Sequence, residues 1–285
     1  MRLARVAGND RPLRVIRPTQ SLIDVLSDGL AALWGHRSLL LEMTVLRLKV
    51  RYQKSLLGWL WAVVPPLVLM ITYTLVFSKA IGLNSGGLPY ALFIFCGLTP
   101  WTFFSTSVST AAAGIVTHRY LISRVAFPRE IIPLSYVAAA LLDLAICMLM
   151  LVALTWYLGV SPTLNVLYAI PVIGILVVCS AAAALCLSSL QARFRDVGIA
   201  MPLLLQVLMF TTPVVYSSAV IPQGLKAVYF ANPLAILIEA FRQATVFGVA
   251  PDVGELIYCG TVSIVWLIFS YLLFKRLDAT MADVI

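Results

Sequence analysis

The sequence predicts an all-α polytopic membrane protein: six transmembrane helices, an N-terminal amphipathic interface helix, and two short re-entrant gate helices before the last span. Three observations carry this. The chain is 61% hydrophobic and 11% charged over 285 residues, against about 25% charged in soluble domains. Its apolar residues fall in uncharged runs long enough for a hydrocarbon core of about 30 Å. Its cations lie mostly on one side of those runs. Ten Lys and Arg precede the first span, three lie in 117–130, two in 191–198 and two after the last span, which leaves Lys79, Lys226 and Arg242 for the other side. That bias puts the basic loops and both termini in the cytoplasm. A seventh span at 232–247 would put Lys275 and Arg276 outside, so the bias favours six.

Residues 1–20 carry five arginines with Pro12 and Pro18 and read as a flexible cytoplasmic tail. Ser21 is placed to cap a short helix reaching about Trp34, with Asp24 in the first turn, where the helix dipole favours an anion. This N-terminal part is 1–38, the interface helix is 39–55, and the transmembrane domain is 56–285. On the interface helix Arg47, Arg51 and Lys54 share one face, while Leu41, Val45, Leu48 and Tyr52 form the opposing stripe. A helix so divided lies in the headgroup layer with its cations at lipid phosphate. The plainer reading is a basic flank on a first span.

Span one is 57–78, with Pro65 and Pro66 expected to kink it. Span two is 88–116, interrupted by Pro100, and a basic segment with Pro128 follows at 117–130. Spans three and four, 131–158 and 164–190, are joined by a short uncharged turn. The loop 191–198 holds Arg193, Arg195 and Asp196, and span five is 199–218. Between 219 and 250 the apolar pieces are about 8 to 14 residues long, too short to cross, and read as a pair of helices dipping into one face. Span six is 257–274.

No GxxxxGK[ST], HExxH or GxSxG occurs, so neither a P-loop nor a common hydrolytic motif is expected. Cys96, Cys147, Cys179, Cys186 and Cys259 all fall in apolar segments and read as small core residues. His36 and His118 are far apart in sequence, and no metal site or resident cofactor is expected. No short apolar core with a small-residue cleavage site opens the chain, so no removable signal peptide is expected. The basic residues point to anionic lipid and not to nucleic acid. Asp143, inside span three, is either a proton-relay group or a carboxyl hydrogen-bonded to a neighbouring helix. Glu239 and Arg242 stand one helical turn apart and are expected to pair. The aromatics Trp59, Trp61, Tyr73, Phe77, Phe93, Phe95, Trp101, Phe103 and Phe104 form either interfacial belts or a stacking surface for sugar rings.

Four stretches together resemble one family: RYQKSLLGWLWAVVPPLVLMITYTLVFS (51–78), FPREIIPLSYVAAALLDL (127–144), RFRDVGIAMPLLLQVLMFTTPVVY (193–216) and NPLAILIEAFRQA (232–244). In order and spacing, from Leu41 to Lys275, the chain is similar to permease subunits of ABC transporters that export cell-surface polysaccharides: O-antigen, capsule and teichoic acid. The resemblance implies a homodimer in the bacterial cytoplasmic (inner) membrane, joined to two separate ATPase subunits that bind the ATP and Mg. The chain itself would then be no enzyme, and its cargo a glycan on a polyprenyl pyrophosphate lipid. It implies lipid-head contacts at Arg47, Arg51 and Lys54, and a channel lined by Trp59, Trp61, Tyr73, Phe77 and Tyr216. ATPase coupling falls to His118, Arg119, Tyr120, Arg124 and Arg129, with Arg195 and Asp196 as a second contact. The outer gate falls to Asn232, Pro233, Glu239 and Arg242. The rival readings are a permease for drugs or small lipids, a proton-coupled transporter working through Asp143, and a membrane glycosyl or acyl transferase.

Overall fold

A computed structural model describes residues 22–53, 55–80, 87–125 and 127–284, and among these the chain is helical with no strand. The chain divides into two compact units at Arg37 and Ser38. In the first, α1 (Leu22–Gly35) has Asp24 in its first turn. The Ser27 hydroxyl donates to the Asp24 carbonyl at 3.1 Å. Ser21, the expected cap, lies outside the described residues.

The second unit begins within α2 (Arg37–Tyr52). A 3-10 turn, Gly58–Ala62, then leads into α3 (Val64–Tyr73) and a π-helical turn, Thr74–Ala80. Pro65 and Pro66 stand in the first turn of α3 and do not kink its middle. Backbone donors there have no intrahelical partner in any case, so the prolines cost nothing. The change of helix type falls just before them.

The core is built around α4 (Tyr90–Thr117), which stays helical through Pro100. Leu92, Phe93, Phe95, Leu98, Phe103 and Phe104 are buried on it. The aromatics of span two therefore fill the protein interior instead of forming belts. Against α4 pack α6 (Ile131–Tyr157), α7 (Ala169–Arg193) and α10 (Pro233–Arg242). The broadest pairing is α7 with α11 (Val253–Val284). Small residues meet there: Cys179 of α7 lies beside Cys259 and Ser263 of α11, and Cys186 beside Ser270. Small residues let backbones approach where no hydrophobic drive separates helix from lipid.

Five stretches are long and apolar enough to cross a membrane: Leu60–Ser78, Tyr90–Thr117, Ile131–Tyr157, Leu164–Arg193 and Val253–Asp278. α8 (Asp196–Phe210) is apolar but 15 residues long, about 22 Å. It ends three residues before Pro213, because the residue ahead of a proline is pushed out of the helical region. By length alone the described residues hold five spans, and this shorter helix stands where span five, 199–218, was expected. The expected short pair is present as α9 (Gln223–Phe230) and α10, which continues into a π turn, Gln243–Phe247. Asn232 caps α10, its side chain accepting the Leu234 N–H at 3.1 Å, and Pro233 follows in the first turn. Gly248, at φ +67°, closes the π turn, and its carbonyl accepts the Asn165 amide at 2.6 Å.

Candidate functional site

Three polar constellations interrupt this apolar bundle. The first joins α2 to α6. Arg47 donates through Nε to the Ser135 hydroxyl at 2.7 Å and through Nη2 to the Ile132 carbonyl at 3.4 Å. Its guanidinium lies over the Tyr136 ring, 3.3 Å from the centroid. Arg51 forms an ion pair with Asp143, and the Tyr52 hydroxyl donates to the same carboxylate. The cationic face of α2 is thus turned onto α6, while Leu41, Val45, Leu46 and Val50 are left open. Burial pushes the Arg47 pKa down from its ordinary value, partly offset by Tyr136. Burial and then Asp143 push Tyr52 up to about 12, which keeps the phenol a donor.

Asp143 stands twelve residues into α6, about 18 Å along it. Its carboxylate is bonded to two partners from α2, a neighbouring helix. Nothing in the sequence linked it to Arg51, 92 positions away. Lys54 and the side chain of Trp59 lie outside the described residues.

The second constellation surrounds α5 (Arg119–Arg124). His118 ends α4, its Nδ1 donating to the Gly114 carbonyl at 2.9 Å. Burial lowers its pKa, the Gly114 hydrogen bond raises it and Arg47 lowers it. Arg119, Tyr120 and Arg124 are exposed, and the Arg119 guanidinium lies 5.2 Å from the Tyr120 ring. Arg195 and Asp196 are exposed at the start of α8. Arg129 is engaged within the chain, donating to the Asp278 carboxylate at 3.0 Å and carbonyl at 2.9 Å. Its neighbour Glu130, fully buried, accepts from Lys275 Nζ at 2.6 Å. These crossed pairs fasten the loop ahead of α6 to the end of α11, a tie the sequence reading missed. Adjacent opposite charges at 129–130 and again at 275–278 are the signal that could have suggested it.

The third is Arg242, 0% exposed at the end of α10. It donates through Nη1 to Glu239 at 2.8 Å, the expected pairing. Nη2 donates to the carbonyls of Pro213 at 2.6 Å and Val214 at 3.2 Å, and the guanidinium lies 3.9 Å from the Phe93 centroid. Those carbonyls belong to the turn after α8. One arginine thereby joins α10, the α8 turn and α4. A Cβ at Gly97 would stand 2.6 Å from both Arg242 Nη2 and the Val214 carbonyl. Gly97→Ala is expected to cost about 1–3 kcal/mol by overpacking, read as a lower melting temperature of the purified protein. An unchanged melt would mean that this junction is loose.

Of the expected lining residues, Trp61 is exposed, and Tyr73 and Phe77 are half-buried in an edge-to-face pair at 5.9 Å. The Tyr216 hydroxyl donates to the Phe210 carbonyl at 2.7 Å, on the far side of α8.

A family model described as ABC-2 type transporter matches residues 39–246. The chain is similar to an O-antigen export system permease protein RfbA of Klebsiella pneumoniae, 31% identical over 212 residues, covering 74% of this chain and 81% of that protein. It is likewise similar to the RfbA permease of Myxococcus xanthus, 31% identical over 237 residues, covering 82% and 90%. The polysialic acid transport protein KpsM of Escherichia coli is 22% identical over 239 residues, covering 82% and 91%.

Proposed function

The chain belongs to the ABC-2 type transporter family, and we propose that it is the membrane permease of an ATP-driven exporter of a cell-surface polysaccharide. The observation that carries this is the 31% identity extending over about four fifths or more of O-antigen export permeases. The finer reading is a homodimer in the cytoplasmic membrane, with α8 and the turn after it serving as the fifth of six crossings and both termini inside. Two ATPase subunits would bind ATP and Mg and press on 117–130. The glycan would travel on a polyprenyl pyrophosphate lipid. Its pyrophosphate would meet the C-terminal turn of α2, where Arg51 keeps 31% of its side chain open while paired with Asp143 and Lys54 follows in sequence. Arg47, turned onto Ser135 and Tyr136, would instead hold the helix in place.

The exposed cations Arg119 and Arg124 are suited to an acidic cleft on the ATPase. A push there reaches α6 directly and α11 through Arg129 and Glu130. Asn232 and Pro233 shape the start of the proposed outer gate, and Glu239 with Arg242 locks its far end.

The test is reconstitution with the partner ATPase in sealed vesicles. Export of lipid-linked glycan is expected only with ATP and both subunits. The double variant Arg119→Glu, Arg124→Glu is expected to lower ATPase co-purification by about tenfold or more, since like charges then face each other. Export by this chain without an ATPase would overturn the reading.

A further inference from the structure

On α4, between Trp101 and Ile115, the positions that are not fully buried are 102, 105, 106, 109, 110 and 113. Five of the six are hydroxyl residues: Thr102, Ser105, Thr106, Ser109 and Thr110. Their spacing, i, i+3, i+4, i+7 and i+8, is one face of a helix. Open faces elsewhere in the bundle are the opposite in character: Leu149 and Val152 on α6, Ile264, Val265 and Phe269 on α11. A face meeting acyl chains is apolar, and a polar face at membrane depth lines a water-filled or cargo-filled path.

Three residues of the stripe, Ser105, Thr106 and Ser109, form one wall of a groove of about 450 Å³, bounded opposite by Gln191 at the end of α7 and by Gly198, Met201, Pro202 and Leu205 of α8. Two features equip that opposite wall with polar groups. A side chain at 198 would stand 2.7 Å from the Gln191 amide, so glycine leaves that amide its place. Pro202 has no N–H to return to the Gly198 carbonyl, which stays an acceptor.

Four of the stripe's hydroxyls, those of Thr102, Ser105, Ser109 and Thr110, direct their protons to their own helix. Thr102 donates to the Leu98 carbonyl at 2.8 Å, Ser109 to Thr106 at 3.3 Å and Thr110 to Thr106 at 2.6 Å. The oxygens of Ser105 and Ser109 then present lone pairs to the groove. The wall is an uncharged row of acceptors, about 6 Å from Ser105 to Ser109. It suits a neutral cargo dense in O–H donors and offers little to an apolar drug or lipid tail.

Resting on the exporter reading above, we infer that this α4–α7–α8 groove is the carbohydrate-binding wall of the inner half of the export path. Sugar hydroxyls donate to Ser105, Thr106 and Ser109, and the Gln191 amide supplies the complementary donor.

Two measurements on the full chain with its ATPase test this. First, Ser105→Cys and Ser109→Cys are each placed in a background with the native cysteines replaced by alanine. They are treated with a charged, membrane-impermeant thiosulfonate beside Val152→Cys on the open face of α6. Because thiolate forms only where water reaches, the stripe cysteines should react about tenfold faster or more. Rates as slow as Val152→Cys would put the stripe against lipid and overturn the inference. Second, the double variant Ser105→Leu, Ser109→Leu should reach the membrane and support ATP hydrolysis as before, while export falls about tenfold or more, because cargo hydroxyls would face leucine unpaired. Ser105→Thr with Ser109→Thr should keep export. Wild-type export by the leucine variant would overturn the inference. If the unmodified complex exports no glycan, the exporter reading fails instead, and labelling still reports whether the groove is wet.

Discussion

Arg242→Met is expected to cost about 3–5 kcal/mol, the range for removing one partner of a buried ion pair. The loss is large because three acceptors depend on one guanidinium: the Glu239 carboxylate and the carbonyls of Pro213 and Val214. Methionine fills much of the volume over Phe93 but donates nothing, so the deficit is polar and not a cavity. For a chain of this size the melting temperature of the purified protein should fall by about 10 °C. Glu239→Gln should cost less, since the amide oxygen still accepts from Nη1 and both carbonyl bonds survive. A fall of only a degree or two in Arg242→Met would show that water reaches this junction.

Asp143→Leu comes next. It leaves the Arg51 guanidinium, 31% open at the membrane interface, without its ion pair and removes the acceptor of the Tyr52 hydroxyl. The end of α2 should come away from α6, and export should fall about tenfold or more while the partner still hydrolyses ATP, since one unit of free energy near 1.4 kcal/mol is already tenfold. The double variant Arg51→Leu, Asp143→Leu leaves no stranded charge, and replacing both members of such a pair is often neutral or stabilising. Its melting temperature should therefore recover. Its export should not, if Arg51 also meets the carrier pyrophosphate. Recovery of both would reduce Arg51 to a fastener of α2 and remove it from the lipid-head assignment.

These two residues also mark how far the sequence could be read. Hydropathy located the five long apolar stretches among the described residues, because burial in lipid demands continuous apolar runs. The pairing of Glu239 with Arg242 was legible from their one-turn spacing. That the pair is buried, and that Arg242 reaches back 28 and 29 residues to two carbonyls, was not, because those carbonyls become free only where α8 stops. Asp143 was visible as an anomaly, but its partner was not, since residues 92 apart share no period. Pro65 and Pro66 were read as a kink, when proline in the first turn of a helix is a start signal. The hydroxyl face of α4 was present in the spacing throughout. It was missed because a run of Ser and Thr does not disturb a hydropathy average, and only knowing which positions stay open gives it meaning.

The crossed pairs at Arg129–Asp278 and Glu130–Lys275 have a consequence for biogenesis. Glu130 is fully buried, yet its counter-ion is encoded 145 residues later. During translation the carboxylate must wait, hydrated, until the final helix leaves the ribosome. The seam between the loop ahead of α6 and the end of α11 is therefore closed last, and a nascent chain halted short of Lys275 displays it unfinished and charged to membrane proteases.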